Sequence, residues 1–365
     1  MKLHIFNPEH DIALATNVRR FTAPHAGRQL RADVGFLPAL WASDGDMVLV
    51  DDVEAALESV RHLRKYVADV LFLSPEDLRL AVKKSMELSQ IEVDPWGWDQ
   101  AIAEQMRQCG LAHLAPSEKQ LQQIRELSHR QWASKHLLPK LKKLSTRLTG
   151  DAFCLKSVPE DVRDLTFPLV AKAPWSSSGR GIRYIQDEEQ WARSWAWVRN
   201  VIKRQGSIMI EPFYRKVRDF GMEFFAHADG SIEFLGLSLF HTANGAYVGS
   251  IIATEEAKRE MLSRYIDSSL LDLVSERICQ IMGTELRQKY KGPFGVDMMI
   301  VATGGDDVAL HPCVELNLRR TMGHAALTLP CDATMPQRLM RIEYTGRYHL
   351  RVINTNENVL NNTAL

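Results

Sequence analysis

The chain has 365 residues, and its 45 Lys and Arg balance its 45 Asp and Glu, so the formal net charge is zero. At about 150 residues per domain, this length predicts two or three domains. With 45% hydrophobic and 25% charged residues, the composition is that of a globular protein and excludes a disordered or fibrous chain. The balanced charge argues against a nucleic-acid partner, and no apolar run reaches the roughly 18–20 residues that span a bilayer, so we expect no membrane partner.

The start of the sequence and its cysteines predict a cytoplasmic protein. Residues 8–11 are Pro-Glu-His-Asp, where a signal peptide would have its apolar core. The five cysteines are widely spaced and include no CxxC pair, so neither a disulfide framework nor a zinc site is indicated.

Short apolar runs and helical patterns alternate through residues 1–115. The predicted elements are strands at 2–6, 47–50 and 70–73, and helices near 12–15, at 53–67, from Ser74 onward and from Asp94 to about 110. This alternation predicts a small α/β domain with a mainly parallel sheet.

After residue 115 the predicted elements no longer alternate regularly. They are a helical stretch at 118–136 interrupted at Ser128, a basic run at 138–147, strands at 167–172 and 182–185, a helix at 187–203, strands at 207–210, 220–228 and 232–240, one long helix at 255–283, and strands at 295–301 and 309–316.

A loop rich in serine and glycine follows the strand that Lys172 closes. Residues 175–181 read Trp-Ser-Ser-Ser-Gly-Arg-Gly. Glycine lets backbone N–H groups turn toward a polyanion, serine adds donors, and lysine places a charge on a phosphate. The pattern predicts a phosphate site; the alternative is an ordinary hairpin loop with a chance lysine.

Two carboxylates and an amide lie on neighbouring predicted strands. Asp297 is on the first, and Glu315 and Asn317, two residues apart, project from one face of the second. These oxygen donors suit Mg²⁺. The alternative, carboxylates on a solvated face, is weakened because apolar residues flank both acids. Earlier in the chain, a strand ending at Glu211-Pro212 is typical of a hinge whose carboxylate and backbone can bind a nucleobase edge.

In this order, these segments resemble the ATP-grasp superfamily, in its D-alanine–D-alanine ligase-like, carboxylate–amine ligase branch. The resemblance covers about residues 115–330. It implies an α/β fold in which a pre-ATP-grasp domain precedes two α+β ATP-grasp lobes. The implied divisions are residues 1–115 for the pre-ATP-grasp domain, 116–210 for the lobe with the phosphate loop, 211–345 for the lobe with the metal strands, and 346–365 for a C-terminal tail.

The resemblance also implies ATP and one or two Mg²⁺ ions as cofactors, with Mn²⁺ as an alternative metal. The metal ligands would be Asp297, Glu315 and Asn317. The residues that match nucleotide-binding positions are Arg130, Lys172, Ser176, Ser177, Ser178, Gly179, Gly181, Glu211, Phe213 and Asp219. Arg130 departs from the family pattern, because many members carry a lysine there.

A second departure concerns catalysis. Many ligases of the family carry an arginine two residues before the first metal aspartate, where this chain has Gly295. Arg180, Arg319 or Arg320 would have to replace it, so these arginines and Lys172 are the predicted catalytic residues.

The implied reaction is ATP-driven: a carboxylate of a small molecule or peptide becomes an acylphosphate, which an amine attacks. A kinase-like phosphotransferase and a non-catalytic nucleotide-binding regulatory protein are the alternatives, and a homodimer is left open. A substrate role for Glu9, His10 or Asp11 also follows from their place after the first strand; the alternative is a polar loop that caps a helix.

Overall fold

The computed structural model describes residues 1–84, 90–158, 165–176, 179, 181–243 and 246–354. The helices, in chain order, are α1 (His10–Thr16), α2 (His25–Val34), α3 (Val53–Arg61), α4 (Pro75–Lys84), α5 (Gln100–Gln108), α6 (Glu118–Leu127), α7 (Arg130–His136), α8 (Leu138–Lys142), α9 (Glu188–Gln205), α10 (Glu255–Ser263), α11 (Ser268–Leu286) and α12 (Met322–Leu327). The strands are β1 (Lys2–Ile5), β2 (Met47–Leu49), β3 (Leu71–Leu73), β4 (Glu92–Pro95), β5 (Phe153–Leu155), β6 (Leu169–Lys172), β7 (Ile182–Ile185), β8 (Ile208–Pro212), β9 (Lys216–Ala226), β10 (Ile232–Ala243), β11 (Ala246–Ile252), β12 (Gly292–Gly304), β13 (Asp307–Asn317), β14 (Arg338–Tyr344) and β15 (Tyr348–Asn354).

The chain forms two compact units, each built from separate stretches of sequence. Among the described residues, the first unit contains Met1–Ile124, Val248–Thr254 and 319–354. The second unit contains Arg125–Tyr247 and Glu255–Leu318. No helix of the described ranges is long and apolar enough to cross a membrane.

The first unit holds a parallel sheet of four strands in the order β3-β2-β1-β4. The central strands β1 and β2 are almost wholly buried, which explains their continuous apolar sequence. The predicted α/β domain with a mainly parallel sheet is therefore confirmed.

One prediction in this unit was wrong. Asp94 was assigned to the start of a helix, but it lies in β4, and α5 begins only at Gln100. The carboxylate of Asp99 accepts hydrogen bonds from the backbone N–H groups of Ala101 and Ile102, so this second aspartate is the helix N-cap.

A hairpin of β14 and β15, not predicted from the sequence, also belongs to the first unit. β14 pairs with β11 and β15, all antiparallel. Met340 and Leu350 of this hairpin are buried in the same apolar cluster as Phe6 and Val48, so chain ends distant in sequence share one core.

The second unit contains two antiparallel sheets. The smaller has the order β5-β8-β6-β7 and packs against α9, with Trp191 fully buried between them. The larger has the order β13-β12-β9-β10 within this unit, and Phe224 of β9 stacks on Phe294 of β12 at 5.1 Å. The predicted strand pairs at 220–228 with 232–240, and at 295–301 with 309–316, are confirmed.

The long helix predicted at 255–283 is two helices, α10 and α11. In the turn after the first helix, the N–H groups of Tyr265 and Ile266 both bond to the carbonyl of Leu262. Asp267 then has extended backbone dihedrals before α11 begins.

Candidate active site

A buried ion pair joins two neighbouring strands of the smaller sheet. Lys172 ends β6, and its Nζ lies 2.5 Å from Oε2 of Glu211 on β8. Both residues are 7% exposed, so each charge depends on the other for compensation. The lysine predicted to hold phosphate and the acid predicted to face the nucleobase are therefore direct partners.

β8 continues through Glu211 and Pro212 rather than ending before them. This is compatible with proline because β5 pairs only with Ile208–Ile210. On the other side of β8, Pro212 lies opposite Leu169 of β6. The missing N–H of Pro212 therefore breaks no ladder bond with β5. The next residue, Phe213, donates its N–H to the carbonyl of Pro168 at 3.0 Å.

The described part of the serine and glycine loop closes on itself. The N–H of Ala173 donates to the carbonyl of Gly181 at 2.8 Å. A Cβ on Gly181 would lie 2.3 Å from the side chain of Ser176, so only glycine fits there. Gly179 has a φ of 71°, which also favours glycine. Ser177, Ser178 and Arg180 lie outside the described residues.

Arg130 connects this loop to an acid of the larger sheet. It begins α7 and is 8% exposed. Its guanidinium donates to the carbonyl of Ala173 at 2.5 Å, to Oγ and O of Ser176 at 2.9 and 3.2 Å, and to Oε1 of Glu315 at 2.6 Å. The fork of donors on arginine, which lysine lacks, makes these contacts simultaneously.

The helix that carries Arg130 is capped by a neutral histidine. Burial, followed by the charges of Arg125, Arg130 and Lys135, lowers the pKa of His129 to about 4. At neutral pH its Nδ1 can therefore accept the N–H of Gln131, at 3.0 Å.

The three predicted metal ligands come together on β12 and β13. Asp297 lies directly opposite Glu315 in the strand register. Nδ2 of Asn317 donates to Oδ2 of Asp297 at 3.0 Å. The side chain of Glu315 is 25% exposed and therefore accessible. Two carboxylates and one amide form the set of oxygen donors that Mg²⁺ accepts.

A third acid beside this cluster was missed by the sequence analysis. Glu223 on β9 is 2% exposed and lies opposite Gly295 of β12. Its Oε1 and Oδ1 of Asp297 are each 3.5 Å from the position that a Cβ on Gly221 would take. The signal was an acid within the apolar run 220–226. No group of three or more His, Cys, Asp or Glu side chains in the described ranges is arranged to hold a metal.

His311 was also missed. It is 1% exposed, and neither ring nitrogen has a hydrogen-bond partner among the described residues. Burial and then the charge of Lys172 lower its pKa to about 3, so the ring is neutral at pH 7. Together with Arg130, Glu211 and Glu315 it lines a cavity of about 10 Å³, which is room for one water.

Asp219, predicted to contact the ribose, lies on β9 and already has partners. Its Oδ2 accepts hydrogen bonds from Nζ of Lys216 at 2.6 Å and from Oγ1 of Thr242 at 2.8 Å. The lysine and the threonine thus fix the carboxylate at the surface of the larger sheet.

Arg319 and Arg320 belong to the first unit, where each is paired with an acid. Arg319 donates to both oxygens of Asp11, at 2.8 to 3.2 Å. Arg320 donates to Asp94 at 3.0 Å, and its guanidinium lies over the ring of Trp41 at 4.5 Å. Their predicted catalytic role remains a prediction.

The loop after β1 is also held by side-chain contacts. Oε1 of Glu9 accepts a hydrogen bond from Arg31 at 3.0 Å. Nδ1 of His10 lies 3.0 Å from Oδ2 of Asp99, which also accepts from Nδ2 of Asn7 at 3.2 Å.

No protein-family model and no curated protein sequence matches the chain. Solved structures do. N5-carboxyaminoimidazole synthetase from Staphylococcus aureus, complexed with ADP, superposes with a TM-score of 0.50 over 94% of this chain and 82% of that chain, at 15% identity. The chain has the ATP-grasp fold.

Two further solved structures match at lower scores. A biotin carboxylase from Campylobacter jejuni in complex with an ATP analogue gives a TM-score of 0.48 at 13% identity, over 93% of this chain and 75% of that chain. An ATP-grasp superfamily protein from Archaeoglobus fulgidus, described as putative, gives 0.43 at 13% identity, over 98% and 100%. The match to the synthetase from Staphylococcus aureus confirms, at the level of the fold, the resemblance stated from the sequence.

Proposed function

We propose that this protein is an ATP- and Mg²⁺-dependent ligase that converts a carboxylate into an acylphosphate for attack by an amine. One observation carries the proposal: within the second unit, Arg130 bridges the serine and glycine loop to Glu315, which lies opposite Asp297. A cation that joins a loop rich in serine and glycine to paired acids is an arrangement suited to a nucleoside triphosphate and a metal ion.

The nucleotide would lie between the two sheets of the second unit. Its base would face Glu211 and the carbonyl of Phe213, and Lys172 would reach a phosphate. The charge of Lys172 is neutralised by Glu211. Binding of a phosphate would give the lysine a second anion, so the buried site would hold its charges in balance.

The residues present fit a magnesium ion. Asp297 and Glu315 would hold it, with the amide oxygen of Asn317 as a third donor. Amide oxygen and nitrogen positions are interchangeable by rotation of the side chain, so the hydrogen bond to Asp297 does not prevent this. When bound, the ion would neutralise charge on the β- and γ-phosphates.

The side chains of this protein would position and shield the reacting groups. Arg130 donates hydrogen bonds to Ser176 of the loop and to Glu315, one of the two acids proposed to hold the metal. When Glu315 binds metal, the positive charge of Arg130 would be available to stabilise the transferring phosphoryl group. The loop would exclude water, because water would hydrolyse an acylphosphate.

Positional isotope exchange tests the first half-reaction. With ATP labelled by ¹⁸O in the β–γ bridge and a pool of carboxylic acids, formation of an acylphosphate scrambles the label without any amine. Label exchange that requires a carboxylate, followed by phosphate release that requires an amine, is the expected result. A stable phosphorylated product that releases no phosphate when an amine is added would instead indicate a phosphotransferase.

The control variant is Glu233→Gln, which changes an exposed acid of β10 that pairs with His227. Glu315→Gln should abolish exchange, whereas Glu233→Gln should retain it. Exchange that survives Glu315→Gln would contradict the proposal.

A further inference from the structure

A cavity of about 550 Å³ lies at one edge of the parallel sheet in the first unit. Residues that follow each of the four strands line it: Glu9 after β1, Asp51 after β2, Pro75 after β3 and Asp99 after β4. All of these positions are at carboxyl ends, so the cavity opens at the edge where open α/β sheets bind ligands.

The strand order of the sheet also shows where along its edge the cavity lies. From β1 the chain moves outward to β2 and β3 and then returns to the other side of β1 at β4. The strand order therefore reverses between β1 and β4. Glu9 and Asp99 follow these two strands, so the cavity lies at the topological switch point, where the loops diverge and leave a crevice.

Five arginines line the cavity, and two of them are held in place by neighbours. Arg19 pairs with Glu118 at 2.5 Å. Arg31 donates to Oε1 of Glu9 at 3.0 Å and to Gln105 at 3.1 Å. Arg31 is therefore oriented before any ligand binds.

The other three arginines, Arg20, Arg28 and Arg79, have no such neighbours. In the ranges that the structure describes, none of them makes an ion pair or a side-chain hydrogen bond, and all three are exposed. Three guanidinium groups around one cavity repel one another, and each offers a fork of donors that matches a carboxylate or a phosphate.

The acids of the cavity wall already have cationic or polar partners. Glu104 pairs with Arg107, which lies outside the cavity wall. Asp51 lies 3.9 Å from Nε of Arg31, and Asp99 accepts the N–H groups of α5. The positive charges of the cavity wall that no acid compensates are therefore those of the three exposed arginines.

We propose that this cavity binds a small organic anion with at least two carboxylate or phosphate groups, held by Arg20, Arg28 and Arg79 against the fixed guanidinium of Arg31. A volume of about 550 Å³ suits a metabolite of this kind. The inference that an anion binds rests only on the residues and the volume of the cavity. That the anion is the acid substrate of a ligation rests on the proposed function.

Isothermal titration at low ionic strength tests the anion site. The probes are succinate and citrate for carboxylates, pyrophosphate and fructose 1,6-bisphosphate for phosphates, and acetate as the single charge. At least one multiply charged probe should bind the intact protein, and acetate should not. The stronger class of probe identifies whether carboxylate or phosphate is the natural group. Failure of all four multiply charged probes to bind would overturn the proposal.

The test variant is Arg20→Gln/Arg28→Gln/Arg79→Gln, which should weaken binding of that probe more than about tenfold. The control, Arg61→Gln/Arg64→Gln/Arg204→Gln, removes three exposed arginines outside the cavity wall and should change affinity less than about twofold. Equal losses in the two variants would show that only bulk charge matters and would overturn the site.

ATP titrations on the same three proteins separate this inference from the proposed function. All three should bind ATP equally, because the substituted residues lie outside the candidate active site. Anion binding without ATP binding would count against the ligase proposal alone. ATP binding without anion binding would count against the cavity alone.

Discussion

The charged residues of the candidate active site are paired with one another. Lys172 pairs with Glu211, and Arg130 pairs with Glu315, at 2.5 and 2.6 Å. Each cation thus has an acid as its partner and can take a second anion from a ligand. This arrangement keeps strongly charged groups in a largely buried site without leaving an isolated charge.

Lys172→Ala removes one member of the more buried pair. It should weaken ATP binding about tenfold, since a phosphate loses a charge-assisted hydrogen bond. It should also lower the free energy of unfolding by about 3 kcal/mol, because Glu211 is left buried and uncompensated. Calorimetric titration and denaturation by urea measure the two effects.

The double variant Lys172→Ala/Glu211→Gln is the matched control for this substitution. A neutral amide no longer needs a cation, so most of the stability should return while ATP affinity stays low. If ATP affinity is unchanged in both variants, Lys172 does not contact the nucleotide.

Glu315→Gln tests the metal site by thermal shift with ATP, with and without Mg²⁺. Mg·ATP should stabilise the wild type more than ATP alone, since a ligand at 100 times its dissociation constant adds about 2.7 kcal/mol. The substitution should remove most of that extra effect while leaving contacts at Glu211 intact. Identical responses of wild type and variant would show that Glu315 is not a metal ligand; Glu233→Gln should respond like the wild type.

Residue types could be predicted from the sequence, but their partners could not. Acids and amides spaced for one strand face identified Asp297, Glu315 and Asn317 as a cluster. Arg319 was predicted to act on phosphate, yet it binds Asp11, which is 308 positions away. A contact of that separation depends on the packing of the whole unit, and no local pattern encodes it.

At the scale of elements, periodic segments such as α9 and short apolar strands such as β1 and β2 were predicted, whereas the polar strand β4 was not. Helix α9 and the pair β12–β13 follow clear periods. Strand β4 has four residues and contains Asp94 and Pro95, both unfavourable in isolated strands. Pairing with the buried β1 overrides that local preference.

The N-cap residue of α5, Asp99, leads to a testable prediction about stability. Asp99 accepts two backbone N–H groups of α5 and also contacts Asn7 and His10, and it is 2% exposed. Asp99→Ala should lower the free energy of unfolding by about 3 kcal/mol, because buried donors lose their acceptor.

Asp52→Ala is the matched control for this cap. Asp52 caps α3 from an exposed position and accepts only the N–H of Ala55. Its loss should cost about 1 kcal/mol. Equal costs of the two substitutions in urea denaturation would show that the contacts of Asp99 with the loop after β1 contribute nothing.

At the scale of the whole molecule, the fold could be predicted only from the order of the motifs along the chain. The ATP-grasp resemblance came from five segments, each of them weak alone. No pattern in the sequence indicated that the hairpin β14–β15 completes the core of the first unit. Its residues have ordinary strand patterns, and only the burial of Met340 and Leu350 beside Phe6 makes the connection.

The ion pair between Arg320 and Asp94 of β4 predicts that the stability of the first unit decreases in acid. Burial alone would raise the pKa of Asp94, but Arg320, His4 and Lys2 together lower it to about 2, from 3.8. A carboxyl group whose pKa is lower in the folded state stabilises the fold above the unfolded pKa, and that stability is lost as the pH falls toward the folded value. The shift corresponds to about 2 kcal/mol, of which about 1 kcal/mol should be lost between pH 7 and pH 3.

Asp94→Asn should remove this pH dependence and lower stability at pH 7, whereas the exposed Asp52→Asn should leave the dependence in place. Urea denaturation of the three proteins at pH 7 and pH 3 measures it; an unchanged pH dependence in Asp94→Asn would show that the pairing of Arg320 with Asp94 does not stabilise the first unit.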